Sequence, residues 1–170
     1  MLVADKIAEW LHEKGIAHAF GIIGAGNIAL WNAIALLQKT RLISCHHEQA
    51  CVMAAGAYYR ISGRISVALV TTGAGSTNAV TGVASAWMDS VPVLILSGNE
   101  ASKYLDAPTR VLGVQGYNST KLAHDICKVV SRPWPENIIG QLEHCLEQAL
   151  KPRQGPCWLD VPKDYQNATV

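Results

Sequence analysis

Apolar residues at Val3, Ile7, Trp10 and Leu11 recur at helical spacing, which predicts an amphipathic helix closing near Gly15. A short apolar run, Ala17–Ile23, then reads as a strand that breaks at Gly24-Ala25-Gly26. Ile28–Leu37 is a second helix, Arg41–Cys45 a second strand, and Glu48–Ile61 an alanine-rich helix. The pattern repeats with a strand at Ile65–Thr72, a turn at Gly73-Ala74-Gly75, a helix at Ser76–Met88 and a strand at Val91–Ser97. Ser76 or Thr77 is the expected N-cap of that helix, since a hydroxyl there can accept a bond from a free backbone N–H. After a polar, irregular stretch from Gly98 to Asn118, long enough to suggest a functional loop, come a strand at Ile126–Val130, a helix carrying Ile138, Ile139, Leu142, Leu146 and Leu150, and a strand at Cys157–Val161.

Strands that alternate with helices, and are apolar throughout rather than every second residue, belong to parallel sheets covered on both faces. The pattern therefore predicts a doubly wound α/β fold with a mainly parallel sheet of about six strands. With no internal linker, residues 1–165 form one domain, and residues 166–170 are expected as a tail that begins a linker.

Composition narrows the class of function. Of 170 residues, 49% are hydrophobic and the formal net charge is +1, so electrostatics give no reason to expect nucleic acid or a membrane surface as partner. The apolar runs are strand-length, and Leu2 leads directly into a charged amphipathic helix; no membrane span and no signal peptide are expected. The five cysteines (Cys45, Cys51, Cys127, Cys145, Cys157) form no Cys-x-x-Cys pair and read as reduced, mostly buried thiols of a cytoplasmic protein.

Parallel sheets bind ligands where their strands' carboxyl ends meet loops and helix amino termini. Gly24–Asn27, His46–Gln49 and Thr71–Asn78 fall there, and the loop around Gln115 is a fourth candidate. Gly24-Ala25-Gly26 followed by Glu48 also fits a dinucleotide fingerprint, with Glu48 placed as a ribose-binding acid; an NAD-type module is thus one alternative, and a catalytically silent assembly domain another. His46 and His47 point to opposite faces of a strand end and cannot converge on one ion, so no metal ligands are expected. The Gly73–Gly75 turn could let a backbone or a flat ligand approach closely, but lacks the lysine of a phosphate-binding loop.

In order along the chain, these segments resemble the pyrimidine-binding, amino-terminal domain of thiamine diphosphate enzymes of the acetolactate synthase and pyruvate decarboxylase-like family. The resemblance is carried by His47-Glu48-Gln49-Ala50 with Tyr58-Tyr59-Arg60 and Gly63, by Thr71–Asn78 continuing to Met88-Asp89-Ser90-Val91-Pro92, by Phe20-Gly21 with Gly24, and by Gly155–Pro162. Ala74 stands where the family commonly has proline, and Gly113–Asn118 departs from the phenylalanine-glutamine-glutamate sequence common in acetolactate synthases. The resemblance implies a lyase or transferase acting on a 2-oxo acid. It makes Glu48 the catalytic partner of a pyrimidine ring nitrogen and gives Gly24, Thr71, Gly73 and Asn78 to the thiamine diphosphate pocket, with Gln115 on the substrate side. It further implies magnesium and the diphosphate held by a domain absent from this chain, assembly as a homo-oligomer or with that partner, and no activity for this domain alone.

Overall fold

The computed structural model describes residues 1–105, 110, 111, 113 and 115–170. Its elements are α1 (Val3–Glu13), β1 (His18–Gly21), α2 (Ile28–Leu37), β2 (Arg41–Ser44), α3 (Glu48–Ser62), β3 (Val67–Val70), α4 (Ala74–Met88) and β4 (Leu94–Asn99). There follow α5 (Ser102–Leu105), α6 (Ser119–Ala123), β5 (Val129–Ser131), α7 (Ile138–Leu150), β6 (Cys157–Pro162) and α8 (Lys163–Gln166). The six strands form one sheet in the order β2-β1-β3-β4-β6-β5, and every neighbouring pair is parallel. This is the doubly wound fold that the apolar runs predict: the central strands β3, β4 and β6 are buried at every residue, while the edge strands β2 and β5 are not.

Side-chain alternation along the strands divides the interior into two cores. Val67, Leu69, Leu94, Leu96 and Leu159 face the helices α1, α2 and α7, with Ile7, Leu11, Leu30, Ile34, Ile138 and Leu142 opposite them. Ala68, Val70, Ile95 and Trp158 point the other way, toward Val52 and Ala55 of α3 and Ala79 and Val83 of α4. Among the described residues no helix is long and apolar enough to cross a membrane.

Several boundaries differ from expectation for local reasons. Strand β4 begins at Leu94, not Val91, because the Val91 N–H bonds back to Ala86 O and Pro92 has no N–H to pair. Helix α4 begins at Ala74 and is capped by Gly73 (φ 66°) with no side-chain bond, so Ser76 and Thr77 are not the N-cap. Instead Ser76 Oγ donates to Thr71 O at 2.9 Å and Thr77 Oγ1 to Ala74 O at 3.1 Å. Strand β5 starts at Val129, after a 3₁₀ turn over His124–Ile126. Residues 166–170, expected to begin a linker, lie against α1: Val3 N–H donates to Ala168 O and Val170 N–H to Met1 O.

At the carboxyl ends of β4 and β6 the interior is polar. Asp160 is fully buried and accepts from Ser119 Oγ at 2.8 Å, Arg132 Nε at 2.9 Å and Asn99 Nδ2 at 3.1 Å. Burial pushes its carboxyl above the ordinary value, while Arg132, Ser119 and Asn99 pull it back. Beside this cluster two backbones meet without intervening side chains. A Cβ on Gly98 of β4 would stand 2.0 Å from Gly26 O in the turn between β1 and α2. Replacing Gly98 by alanine is therefore expected to force that turn away and cost about 3 kcal/mol, the upper end for overpacking, since backbone cannot step aside as a side chain can. Urea unfolding of the variant checks this; an unchanged midpoint would rule the contact out as a packing constraint.

Candidate functional site

The strand order reverses between β1 and β3: the chain passes from β1 out to β2, then returns to β3 on β1's other side. In such sheets the crevice at the reversal is the natural ligand site. Its rim is the β1–α2 turn on one side and the β3–α4 turn on the other, joined by close contacts. Gly24 N–H donates to Asn27 Oδ1 at 2.8 Å, Asn27 Nδ2 to Ile22 O at 3.0 Å, and Gly26 N–H to Thr71 Oγ1 at 3.1 Å. A Cβ on Gly24 would lie 2.6 Å from Thr71 Cγ2 and Oγ1, and one on Gly26 only 1.9 Å from Thr72 Oγ1. The far side of the turn is pinned by Gln166, which is fully buried; its Nε2 donates to Gly26 O at 2.6 Å and Val161 O at 2.7 Å, and its Oε1 accepts from Leu30 N–H at 3.3 Å.

These bonds correct the dinucleotide reading. A pyrophosphate needs free N–H groups at the glycine turn, and here those of Gly24 and Gly26 are spent on Asn27 and Thr71. Glu48 is the first residue of α3, as the sequence pattern predicts, and it faces α4.

His47 serves as the cap of α3, its Nδ1 accepting from Gln49 N–H at 3.2 Å, which leaves the Glu48 side chain free of that duty. Glu48 is buried, at 8% exposure for the whole residue, and its two carboxylate oxygens have different surroundings. Oε2 accepts from Asn78 Nδ2 at 3.0 Å. Oε1 lies over Gly75, where an added Cβ would come within 3.2 Å, and accepts nothing from the described residues. What brings α3 and α4 this close is Gly82, whose Cβ would stand 2.8 Å from Val52 Cβ and 3.0 Å from Gln49 O. Cys51, one turn along α3, sees the Glu48 charge, but burial first and the neighbouring Cys45 second push its thiol far up. A buried neutral thiol is no nucleophile.

Gln115 lies across Gly73: a Cβ there would meet Gln115 O at 2.7 Å and Gln115 Cγ at 2.9 Å. Nearby, burial pushes the Tyr117 hydroxyl up to about 12, with Ser76 pulling the other way. The residues singled out in the sequence thus fall into two sets of contacts. Glu48 meets Asn78 and Gly75, Gly75 meets Thr71, Thr71 meets Gly24, and Gly73 meets Gln115.

Two contributors, Gln166 and Gly98, escaped the sequence, and Asn27 entered it only as the end of the Gly24–Asn27 segment. Asn27 and Gln166 hold the β1–α2 turn, and Gly98 makes room for it. An asparagine directly after a Gly-x-Gly turn is a recognisable Asx signal. Nothing local marks Gln166, whose partner Gly26 lies 140 residues away.

Comparison with known proteins agrees with this geometry. The family described as thiamine pyrophosphate enzyme, N-terminal TPP binding domain, matches residues 1–126. The chain is 32% identical over 165 residues to the acetolactate synthase large subunit of Haemophilus influenzae, covering 96% of this chain and 28% of that protein. It is 31% identical over 168 residues to the acetolactate synthase isozyme 3 large subunit of Escherichia coli (96% and 28%), and 30% identical over 167 residues to the chloroplastic acetolactate synthase of Arabidopsis thaliana (96% and 24%). The chain spans less than a third of the length of these relatives. A reversed parallel sheet with a buried glutamate at its crevice, and a family match over most of its length, place this chain in the family of thiamine pyrophosphate enzyme N-terminal, TPP-binding domains.

Proposed function

We propose that this chain is the pyrimidine-binding half of a thiamine diphosphate-dependent lyase or transferase acting on a 2-oxo acid, of the acetolactate synthase kind. The observation that carries the reading is the asymmetry of Glu48, with one oxygen held by Asn78 and the other open beside Gly75. A pyrimidine is flat and presents ring nitrogens, and the residues present suit it. Glu48 Oε1, which accepts nothing from the described residues, would offer an acceptor, or a donor once protonated, to a ring nitrogen.

Thiamine diphosphate, when bound, would supply a carbon nucleophile and an electron sink for chemistry on a 2-oxo acid. Glu48 holds and exchanges a proton at Oε1, which is general acid–base work. Asn78 fixes the carboxylate's orientation, and Thr71 and Gly24 close the wall on the substrate side. Gln115, lying over Gly73 at the exposed rim, is placed to contact substrate. Magnesium and the diphosphate would be held by another domain or subunit, so that this chain alone is inactive and works in a homo-oligomer or with that partner. Four buried free thiols and a half-buried Cys45 suit a cytoplasmic protein.

Titration calorimetry with thiamine diphosphate and magnesium, on the chain together with a diphosphate-domain partner, is expected to show saturable binding that the chain alone lacks. NAD binding in place of thiamine diphosphate would overturn the reading. In the full-length enzyme, Glu48→Gln is expected to lower kcat by about 100-fold or more with little change in thermal midpoint. Near-normal turnover would point instead to an assembly domain.

A further inference from the structure

We propose that Asn78 is a positioning residue that decides which oxygen of Glu48 carries its exchangeable proton. The side-chain amide of Asn78 reaches Oε2 through Nδ2 at 3.0 Å, and an amide N–H can only donate. The oxygen it faces therefore accepts in both protonation states, and a carboxyl's carbonyl oxygen accepts better than its hydroxyl oxygen. When the carboxyl is protonated, Oε2 is its carbonyl oxygen and the O–H sits on Oε1, above Gly75. When it is ionised, the same bond stabilises the charge. A carboxyl without such a partner could place its proton on either oxygen, and half of those states would point it back into α4.

A purely structural clip between the helices is the competing account, and it has little left to explain. The approach of α3 and α4 is already fixed by Gly82 against Val52 and the Gln49 carbonyl, one turn beyond Asn78. The electrostatics around the pair are also simple. Helix α4 carries no charged or titratable residue from Ala74 to Met88, and the turns at Gly24–Asn27 and Thr71–Gly73 carry none. On its own side Glu48 has His46 and His47 just before it, with the His47 ring turned to Gln49 N–H, and Cys51, whose thiol burial keeps neutral, with Cys45 beside it. Asn78 is thus the one polar side chain among the described residues that binds the carboxylate directly.

The importance of this control for catalysis rests on the pyrimidine reading; the proton placement itself does not. The test is a carboxyl ¹³C NMR titration of Glu48 in the full chain, comparing the parent with Asn78→Asp and Asn78→Ala. Asn78→Asp keeps shape and packing but replaces the donor with a second carboxyl. The two groups then titrate together, and the Glu48 midpoint is expected to move to higher pH by at least about 1 unit. Asn78→Ala removes the bond and is expected to move it the same way by less. A midpoint unchanged in the Asp variant would overturn the proposal even if the Ala variant failed to fold. Calorimetry with thiamine diphosphate reports separately on the pyrimidine reading, so a failure of one is distinguishable from a failure of the other.

Discussion

The site depends on a place where backbone touches backbone. Gly98 in β4 has no side chain, and because of that Gly26 O can lie where its Cβ would otherwise be. This contact draws the β1–α2 turn down over the sheet, close enough for Gly26 N–H to reach Thr71 Oγ1 and for Gln166 to clasp Gly26 O from behind. A buried carbonyl needs a donor and a buried amide needs an acceptor. Once the turn is seated, side chains from the ends of β3 and β6 supply both. The cost of closeness is that little else fits: Gly26 stands against Thr72 as tightly as Gly98 stands against Gly26.

The same economy operates between α3 and α4. Gly82 lets the two helices meet at the level of the Gln49 carbonyl, and one turn back that proximity sets Asn78 beside Glu48. A carboxylate on a buried residue is costly to keep unless its oxygens find donors. Asp160 shows what full compensation looks like, with a guanidinium, a hydroxyl and an amide converging on it from β5, α6 and β4. Glu48 receives one donor from the described residues. The contrast separates a carboxylate that stabilises the end of the sheet from one left with bonding capacity to use.

Much of this was legible in the sequence because it is local. Unbroken apolar runs such as Val67–Val70 identify buried parallel strands, and glycine turns after β1 and β3 mark where the chain reverses. Glu48, Thr71, Gly73 and Asn78 sit at or just after those ends, so pattern alone brings them to one rim. What sequence could not supply was the competition between partners. Ser76 and Thr77 look like caps, yet their hydroxyls bond back to Thr71 O and Ala74 O, while Gly73, at a positive φ, starts the helix. Gln166 looks like the beginning of a tail, and its role appears only when β6 returns it to the turn after β1. The loop around Gln115 was legible only as irregular, and Asp106–Thr109, Leu112 and Val114 within it lie outside the described residues.

The way polar groups are satisfied at this rim also constrains which ligands suit it. Phosphate recognition at a glycine turn relies on backbone N–H groups left without acceptors. Here the side chains of Asn27 and Thr71 have taken the N–H groups of Gly24 and Gly26. The rim instead offers Glu48 Oε1, an acidic oxygen that accepts nothing from the described residues. An anion approaching Glu48 would meet like charge, whereas a neutral heterocycle with a ring nitrogen would meet its complement. A glycine pattern that suggests phosphate when read alone therefore serves shape, and the hydrogen-bonding chemistry falls to the carboxylate that Asn78 orients.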